Sequence, residues 1–380
     1  MASSKRSWSL SLLPPEIIQE IFYKTPAEAL VRSKPTCKKW YDLITEKRFI
    51  YQHLRRSQER FIRIFETVQT MDPNEFQPPY EIDTMVHCDG LMLCKFVDLM
   101  TLSCANLALW NPITRRIRWI KPVKIITSGD YYGIGYNSRC KKEARDDDGY
   151  KIVKFHCGGL STSEYGPFGY SKVPQVEIYE FNTSLWRTIG GQKVDSSVKF
   201  TCKCVAVMGN MYWVALSDET PGEEFILGFD FSDETFKEIC FCPPTYDDFS
   251  HLASFNGDSL SLLQQDRVSR NIEVWVSSKL GDGDVSFSKY LSLSGPDLPA
   301  LQVHNDATRP VYCFVKTKSV ILWCVGVEGE GDKVCCFSTL HEIDEDGVRN
   351  EKVIERGYVD DYSSSFLCGY VYVPSLVPLP

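Results

Sequence analysis

Residues 13–50, LPPEIIQEIFYKTPAEALVRSKPTCKKWYDLITEKRFI, contain the strongest local pattern of the chain. A Pro-Pro-Glu run at 14–16 is typical of a helix start, because proline loses no hydrogen bond in the first turn and a carboxylate there faces the positive helix end. Apolar side chains then recur at helical spacing, at Ile17, Ile18, Ile21 and Phe22. This stripe is wider than a small bundle needs, so the sequence predicts that part of it faces another protein.

A second helix is predicted to start at Thr25-Pro26-Ala27-Glu28. Thr25 can cap it, Pro26 suits the first helical position, and Glu28 can reach back to the Thr25 amide. The helix must end near Ser33, because the next residue precedes Pro35 and is pushed out of the helical region.

A third helix is indicated beyond that proline, since apolar side chains recur at three- and four-residue steps, at Cys37, Trp40, Tyr41 and Ile44. Three such short helices have too little core to stand alone. The sequence therefore predicts a small module that requires a partner surface.

This stretch resembles the F-box, which begins with Leu-Pro and later carries Leu-x-Arg and Cys-Lys-x-Trp. The matching residues are Leu13, Pro14, Glu16, Ile17, Glu20, Ile21, Pro26, Leu30, Arg32, Cys37, Lys38, Trp40, Leu43, Ile44 and Phe49, whereas Thr25, Pro35 and Thr36 depart from the pattern. The resemblance implies docking onto the Skp adaptor of a cullin-RING ubiquitin ligase. The residues expected to contact the adaptor are Leu13, Pro14, Ile17, Ile18, Ile21, Leu30, Val31, Cys37 and Trp40. The alternative is that these side chains only attach the helices to the rest of the chain.

After residue 66 the pattern changes to short alternating apolar runs between turn residues, which is typical of antiparallel strands. A unit recurs five times: an apolar strand pair around a glycine, then a strand ending in Asn or Asp, a Thr/Ser turn, and a strand carrying Trp or Phe. The copies begin near residues 88, 150, 206, 258 and 319. Such repetition predicts a β-propeller, with a β-sandwich as the alternative. The alternating segments 61–65 and 366–373 are expected to pair, to complete a blade and to join the two ends of the domain.

These runs also resemble the F-box-associated interaction domain of a large family of plant proteins. The segments that carry the resemblance are CDGLMLC at 88–94, LWNPITRRIRW at 109–119, YGIGY at 132–136, EIYEFNTSLWR at 177–187, GNMYW at 209–213 and FLCGYVYVPSL at 366–376. The predicted fold class is α+β multidomain: an F-box at 8–55, a linker and first strand at 56–84, and a mainly antiparallel, propeller-like domain at 85–375. The resemblance implies the substrate receptor of an SCF-type ligase, which is not itself an enzyme.

Charge is divided unevenly along the chain. Residues 1–66 carry a net charge of +6 and the remainder −14, giving −8 overall. An acidic domain argues against a nucleic-acid groove. The sequence shows no export signal and no apolar run long enough to span a bilayer, so we expect a soluble protein of the nucleus or cytoplasm, or both, with reduced cysteines and no membrane partner.

Catalytic and cofactor motifs are absent from the sequence, and the cysteine spacing gives no zinc pattern, so no metal or cofactor is expected. Substrate contacts are expected in the loops at 138–149, 217–224, 281–284 and 328–332. Their acidic candidates, which suit a basic patch on a protein substrate, are Glu223, Glu224, Asp282, Asp284, Glu328 and Glu330. Two alternatives stay open: a scaffold that does not use the adaptor, and a propeller enzyme with a central cluster of titratable side chains. The sequence does not identify the substrate, the pathway, the blade number or a co-ligand.

Overall fold

The computed structural model describes residues 13–63, 80–98, 103–121, 130–137, 149–156, 176–190, 197–198, 204–216, 222–244, 250–266, 268–295, 297–301, 310–328, 335–358 and 369–380. It begins with four short helices: α1 (Pro15–Tyr23), α2 (Ala27–Ser33), α3 (Lys38–Thr45) and α4 (Lys47–Leu54). The corner predicted at Pro35 is a 3₁₀ turn, Lys34–Thr36. Helix α4 was not among the three predicted helices.

The start of α2 differs from the prediction. Thr25 does not cap α2: its hydroxyl donates to the Ile21 carbonyl at 2.8 Å, and its amide donates to the Phe22 carbonyl. Glu28 accepts a hydrogen bond from Arg60 at 3.1 Å. The predicted capping box is therefore wrong. The physical reason is the short connection, because Thr25 lies one residue beyond the C-cap of α1 and satisfies the carbonyl groups of that helix.

Five antiparallel sheets follow, as the five repeats predict. Their strands are β2 (Tyr80–Cys88), β3 (Leu91–Asp98), β4 (Ser103–Asn111) and β5 (Arg116–Ile120) in blade 1; β6 (Asp130–Tyr136), β7 (Tyr150–His156), β8 (Val176–Glu180) and β9 (Leu185–Ile189) in blade 2; β10 (Ser197–Val198), β11 (Val205–Val207), β12 (Asn210–Leu216), β13 (Glu224–Asp230) and β14 (Thr235–Phe241) in blade 3; β15 (Ser250–Phe255), β16 (Ser259–Gln265), β17 (Ile272–Ser277) and β18 (Phe287–Leu293) in blade 4; and β19 (Val311–Lys316), β20 (Ser319–Glu328), β21 (Cys335–Asp344) and β22 (Gly347–Tyr358) in blade 5. The inner strand of blade 3 is in two pieces, since β10 and β11 both pair with β12. The fold is a five-bladed β-propeller, which confirms the prediction.

The recurring turn between the third and fourth strands explains the repeat. In blade 1 the Asn111 Oδ1 atom accepts the Ile113 and Thr114 amides at 2.9 and 3.1 Å. In blade 3 the Asp230 Oδ1 atom accepts the corresponding amides of Ser232 and Asp233. A side-chain acceptor at the end of the strand thus replaces the partners that the turn amides lose, which is why Asn or Asp recurs there.

The two ends of the chain close the propeller. Strand β1 (Arg60–Arg63) pairs antiparallel with β23 (Gly369–Tyr372), and β23 contacts the inner strands β19 of blade 5 and β2 of blade 1. The ring of Phe61 lies 5.8 Å from that of Trp323 in blade 5. The predicted pairing is confirmed, but the two strands form their own sheet between blades 5 and 1 and do not complete an existing blade.

One hydrophobic core continues from the helices into blades 1, 2 and 3. Phe49 and Ile44 of the helices belong to the same cluster as Trp110 of blade 1 and Phe155 of blade 2. Two separate clusters fill the interfaces on either side of blade 4. The helical module is therefore packed against the propeller and not suspended from it.

Candidate functional site: an exposed helical surface on a propeller

An apolar surface remains uncovered on α1 and at its start. Leu13, Ile17 and Ile21 are 36%, 49% and 39% exposed. Four-residue spacing places them along one side of the helix. Burying such side chains is worth about 1.5–3 kcal/mol each, so a stripe of this kind favours a protein partner.

The remaining residues expected to contact the adaptor differ in their solvent exposure. Pro14 and Cys37 are exposed, whereas Ile18, Val31 and Trp40 are half-buried against the core. Leu30 is 0% exposed, so its expected direct contact is corrected: Leu30 belongs to the packed interior of the module. Apolar residues lie on more than one face of α2, and the sequence pattern alone does not indicate which face is buried by the rest of the chain.

Helix α4 supports α1 from behind. Its Phe49 ring stacks on Tyr23 with centroids 4.9 Å apart, and the Arg56 guanidinium lies 4.2 Å from the centre of the same tyrosine ring. The Tyr23 hydroxyl donates to Gln52 and accepts from Gln19. Sequence reasoning missed this helix, although the run of apolar and aromatic residues from 49 to 54 carried the signal. Because Tyr23 and Phe22 are buried, Ile17 and Ile21 are turned outward.

The helices lie on one face of the propeller, here called the proximal face. It is formed by the turns after the first and third strand of each blade, which meet at one end: Lys151 at the start of β7 pairs with Glu234 in the β13–β14 turn at 2.6 Å, and Lys279 in the β17–β18 turn pairs with Asp258 in the β15–β16 turn at 3.1 Å. Glu59, which follows α4, accepts a hydrogen bond from Ser254 at the proximal end of β15. The opposite, distal face carries the other connections.

The C-terminal residues 373–380 also lie on the proximal face. The Asn111 amide donates to the Ser375 and Val377 carbonyls at 3.2 and 2.7 Å. Gly90 has φ +79°, and a Cβ atom there would lie 2.2 Å from the Val373 carbonyl oxygen. The glycine of CDGLMLC and the asparagine of LWNPITRR therefore serve the same contact, which sequence reasoning did not find.

The acidic residues predicted to bind substrate do not form one site. Asp282 and Asp284 lie in the β17–β18 turn on the proximal face, whereas the exposed Glu223 precedes β13 on the distal face. Glu328 ends β20 on the distal face, and Glu330 lies outside the described residues. The loops at 138–149, 217–224 and 328–332 are only partly within the described residues.

Glu224 requires a correction as a substrate contact. It is buried, accepts a hydrogen bond from the Ser250 hydroxyl at 2.9 Å, and its carbonyl accepts the Cys242 amide at 2.8 Å. Neighbouring strand residues point to opposite faces of the sheet, so Glu223 and Glu224 have different roles. Glu224 joins blade 3 to blade 4.

A charged cluster that sequence reasoning did not find lies at the distal end of blade 2. The Lys154 Nζ atom lies 3.5 Å from Asp130 and 3.4 Å from Glu177, and all three side chains are largely buried. His156 lies 3.3 Å from the same aspartate. A buried lysine between two carboxylates keeps the strand ends together, since each charge requires a partner there.

Catalytic chemistry has little support among the described side chains. Burial raises the pKa of the Cys240 thiol to about 11 and those of Cys313 and Cys324 to about 12, which holds them in the weakly nucleophilic protonated form. Burial also lowers the pKa of His87 to about 4, against an opposing effect of Asp89. Within the described ranges no group of three His, Cys, Asp or Glu side chains is placed to hold a metal ion, and no helix has the length and apolar character needed to cross a bilayer.

Comparison with known proteins agrees with this architecture. Residues 44–379 match the family model of the F-box associated beta propeller domain, and residues 10–57 match the F-box-like model. The chain is 44% identical to "Putative F-box only protein 15" of Arabidopsis thaliana over 100% of both chains. It is 36% identical to "F-box/WD-40 repeat-containing protein 1" of the same plant, over 97% of this chain and 90% of that one.

Similarity to solved structures is much weaker. An oligogalacturonate lyase from Vibrio parahaemolyticus is 12% identical, with a TM-score of 0.39 over 66% of this chain and 64% of that one; this likeness supports no inference about the site. The two family matches together cover the helices and all five blades. The chain therefore belongs to the F-box proteins that carry an F-box associated β-propeller domain, a family assignment that supports Skp-type adaptor binding and substrate recognition in SCF ligases.

Proposed function

We propose that this chain is the non-catalytic substrate-recognition subunit of an SCF-type cullin-RING ubiquitin ligase. In this proposal the helices bind the Skp adaptor of the cullin-RING core, and the propeller binds a protein substrate. The observation that carries the proposal is the exposed Leu13, Ile17 and Ile21 stripe on a module whose interior is already filled.

The exposed stripe is too small to be the whole contact. A stable interface buries roughly 1,600 Å² in total, so we expect the half-buried Ile18 and Val31 and the exposed Cys37 and Tyr41 to lie at its margin. The affinity depends chiefly on the apolar side chains that become fully covered, since charged pairs at a rim contribute little. Substituting exposed members of the stripe should therefore reduce adaptor binding without reducing stability.

Substrate binding is assigned in this proposal to the distal face. The helices and residues 373–380 occupy part of the proximal face, which leaves less of it accessible. Of the acidic candidates, Glu223 is exposed on the distal side and suits a basic segment of the substrate. The proposal does not assign this role to Asp282 and Asp284, because they lie on the proximal face.

The chain contributes proximity in this reaction. It brings a substrate lysine close to a ubiquitin thioester held by the conjugating enzyme, and raising local concentration in this way accelerates transfer without a catalytic group on the receptor. The proposal places the protein in the nucleus or cytoplasm, where such ligases act.

Adaptor capture by purified full-length protein tests the proposal. An Ile17→Ser/Ile21→Ser variant should lose at least tenfold in adaptor affinity and unfold at an unchanged urea concentration. Leu185→Ser is the matched control, because Leu185 is 66% exposed and belongs to strand β9 of blade 2, outside the helical module. Full adaptor binding by the double variant would refute the assignment of the stripe.

No adaptor binding by the unaltered protein would favour a scaffold that works without the adaptor. If the proposal holds, the double variant also becomes a means of finding substrates. It retains the propeller but does not deliver bound proteins to the ligase, so its complexes can be isolated from cells and compared with those of a Glu223→Lys variant.

A further inference from the structure

Tyr51 of α4 connects the adaptor-binding module to the propeller. It is buried, and it lies two residues from both Phe49 and His53, which face the other helices. A two-residue step turns about 200° around a helix. One side of α4 therefore supports α1, and the other side, with Tyr51, points into the junction.

Three propeller residues form the floor of that junction, here called the seat: Asp89, Tyr136 and Tyr150. The Tyr150 hydroxyl donates to the Asp89 Oδ2 atom at 2.8 Å, and the rings of Tyr136 and Tyr150 meet edge to face with centroids 5.5 Å apart. The Tyr136 amide donates to the Gly209 carbonyl at 2.9 Å. The seat thus joins the proximal turns of blades 1, 2 and 3.

Tyr51 belongs to the same buried cluster as Tyr150, and Tyr136 packs against that cluster. Burial raises the pKa values of Tyr136 and Tyr150 well above the usual tyrosine range, with further contributions from Asp89 and from Tyr51. Arg55, one residue beyond α4, partly opposes the rise in the pKa of Tyr136.

Two further contacts attach the helices elsewhere. The Arg60 guanidinium of β1 lies 3.1 Å from the Glu28 carboxylate of α2, and Glu59 accepts the hydrogen bond from Ser254 of blade 4. Beyond them β1 pairs with β23. The module is thus held above blades 1 and 2, above blade 4, and at the closing sheet.

We propose that Asp89 and Tyr150 are positioning residues: through Tyr51 they fix the orientation of the adaptor-binding surface relative to the propeller and thereby determine which lysines receive ubiquitin. This inference rests on the proposed function. In the transfer a lysine amine attacks the thioester carbonyl of ubiquitin on the conjugating enzyme, an isopeptide bond forms, the carbon–sulfur bond breaks, and the amine proton passes to the departing thiolate. A fixed seat presents only some lysines to that thioester; a loosened seat presents more of them in turn.

The experiment uses the full-length chain, bound to adaptor, cullin and RING subunit, with ubiquitin-charged conjugating enzyme. The chain's own lysines serve as acceptors, so no substrate is needed, and mass spectrometry locates the modified positions. In the unaltered protein we expect modification confined to a subset of lysines. In an Asp89→Asn/Tyr150→Phe variant we expect at least twice as many modified positions, with adaptor affinity changed by less than twofold.

Two further variants keep the test decisive. Tyr212→Phe removes a buried hydroxyl from blade 3, outside the seat, and should leave the pattern unchanged. Tyr51→Ala acts from the helical side and should broaden the pattern as well, which settles the matter if the double variant does not fold. An unchanged pattern of modified lysines in folded Tyr51→Ala protein would refute the positioning role of the seat while leaving the proposed function intact. Loss of adaptor binding by the unaltered chain would overturn both.

Discussion

Replacing Asn111 should release the C-terminal residues from blade 1. Its side chain is fully buried and makes four hydrogen bonds, two to turn amides and two to the carbonyls of Ser375 and Val377. A net hydrogen bond is worth about 0.5–1.5 kcal/mol, and a buried group left without a partner costs about 1–3 kcal/mol. Because some of these groups will find water after the change, we expect Asn111→Ala to lower the free energy of unfolding by about 3–5 kcal/mol.

A second substitution separates the two roles of this side chain. Asn111→Asp keeps an acceptor for the Ile113 and Thr114 amides but places a carboxylate oxygen against two carbonyl oxygens. If the contact to residues 373–380 matters, Asn111→Asp should be destabilising by at least about 2 kcal/mol, since it loses two hydrogen bonds and gains repulsion. Asp230→Asn is the control, because Asp230 occupies the same turn position in blade 3; it should cost less than about 1 kcal/mol.

Urea unfolding followed by tryptophan fluorescence measures the stability, and limited proteolysis followed by mass spectrometry reports cleavage near the C-terminus. Both Asn111 variants should unfold at lower urea and show faster cleavage beyond residue 372, whereas Asp230→Asn should show neither. Stability of Asn111→Asp within about 0.5 kcal/mol of the unaltered protein, at unchanged cleavage rate, would refute the reasoning, because the turn alone would then account for the asparagine.

Gly90→Ala should lower the free energy of unfolding by about 2–4 kcal/mol, because the added Cβ meets the Val373 carbonyl oxygen in addition to the backbone strain at φ +79°. Gly257→Ala, at φ +77° with nothing within 4 Å, should lower it by only about 1–2 kcal/mol in the same urea assay. Equal losses of stability would contradict the contact at Gly90. Burial raises the pKa of Glu59 above its ordinary 4.5, against a partial lowering by the Ser254 hydrogen bond, so this carboxyl favours the folded state at low pH and that stability is lost as pH rises through the folded-state pKa. Glu59→Gln should therefore be more stable than the unaltered protein at neutral pH, with the difference shrinking as pH falls toward 4.5; a difference independent of pH in thermal unfolding would contradict this account.

The blade pattern could be predicted because it is local. Alternation with period two, a glycine turn and a strand ending in Asn or Asp are each encoded within a few residues, and the turn geometry at Asn111 and Asp230 shows why those residue types recur. The exposed Ile17 and Ile21 followed from helical spacing for the same reason. The pairing of β1 with β23 is long-range but was accessible, since two unmatched alternating segments remained at the ends of the domain.

Other features depend on contacts that local pattern does not contain. Glu224 is buried and accepts a hydrogen bond from Ser250, 26 residues later. Nothing in the run of two glutamates distinguishes the buried one from the exposed one. Leu30 and Ile21 are both apolar positions on short helices, yet the chain covers one and leaves the other outside. Thr25 was predicted to cap α2, but its hydroxyl donates to a carbonyl group at the end of α1. The pattern does not show this because it depends on how short the connection between the two helices is.

The position of the helices follows from how the propeller closes. Strand β1 must lie beside β23 to seal the ring, and only the residues 55–59 separate it from α4, so the helices are confined to the proximal end from which β1 enters. At about 3.3 Å per residue, that connection spans less than 20 Å. The helices cannot reach the distal face without breaking the closing sheet. Closure of the propeller therefore restricts where the adaptor-binding surface can lie. The burial of Tyr51 in the core shared with the propeller and the hydrogen bond from Ser254 to Glu59 restrict its orientation further.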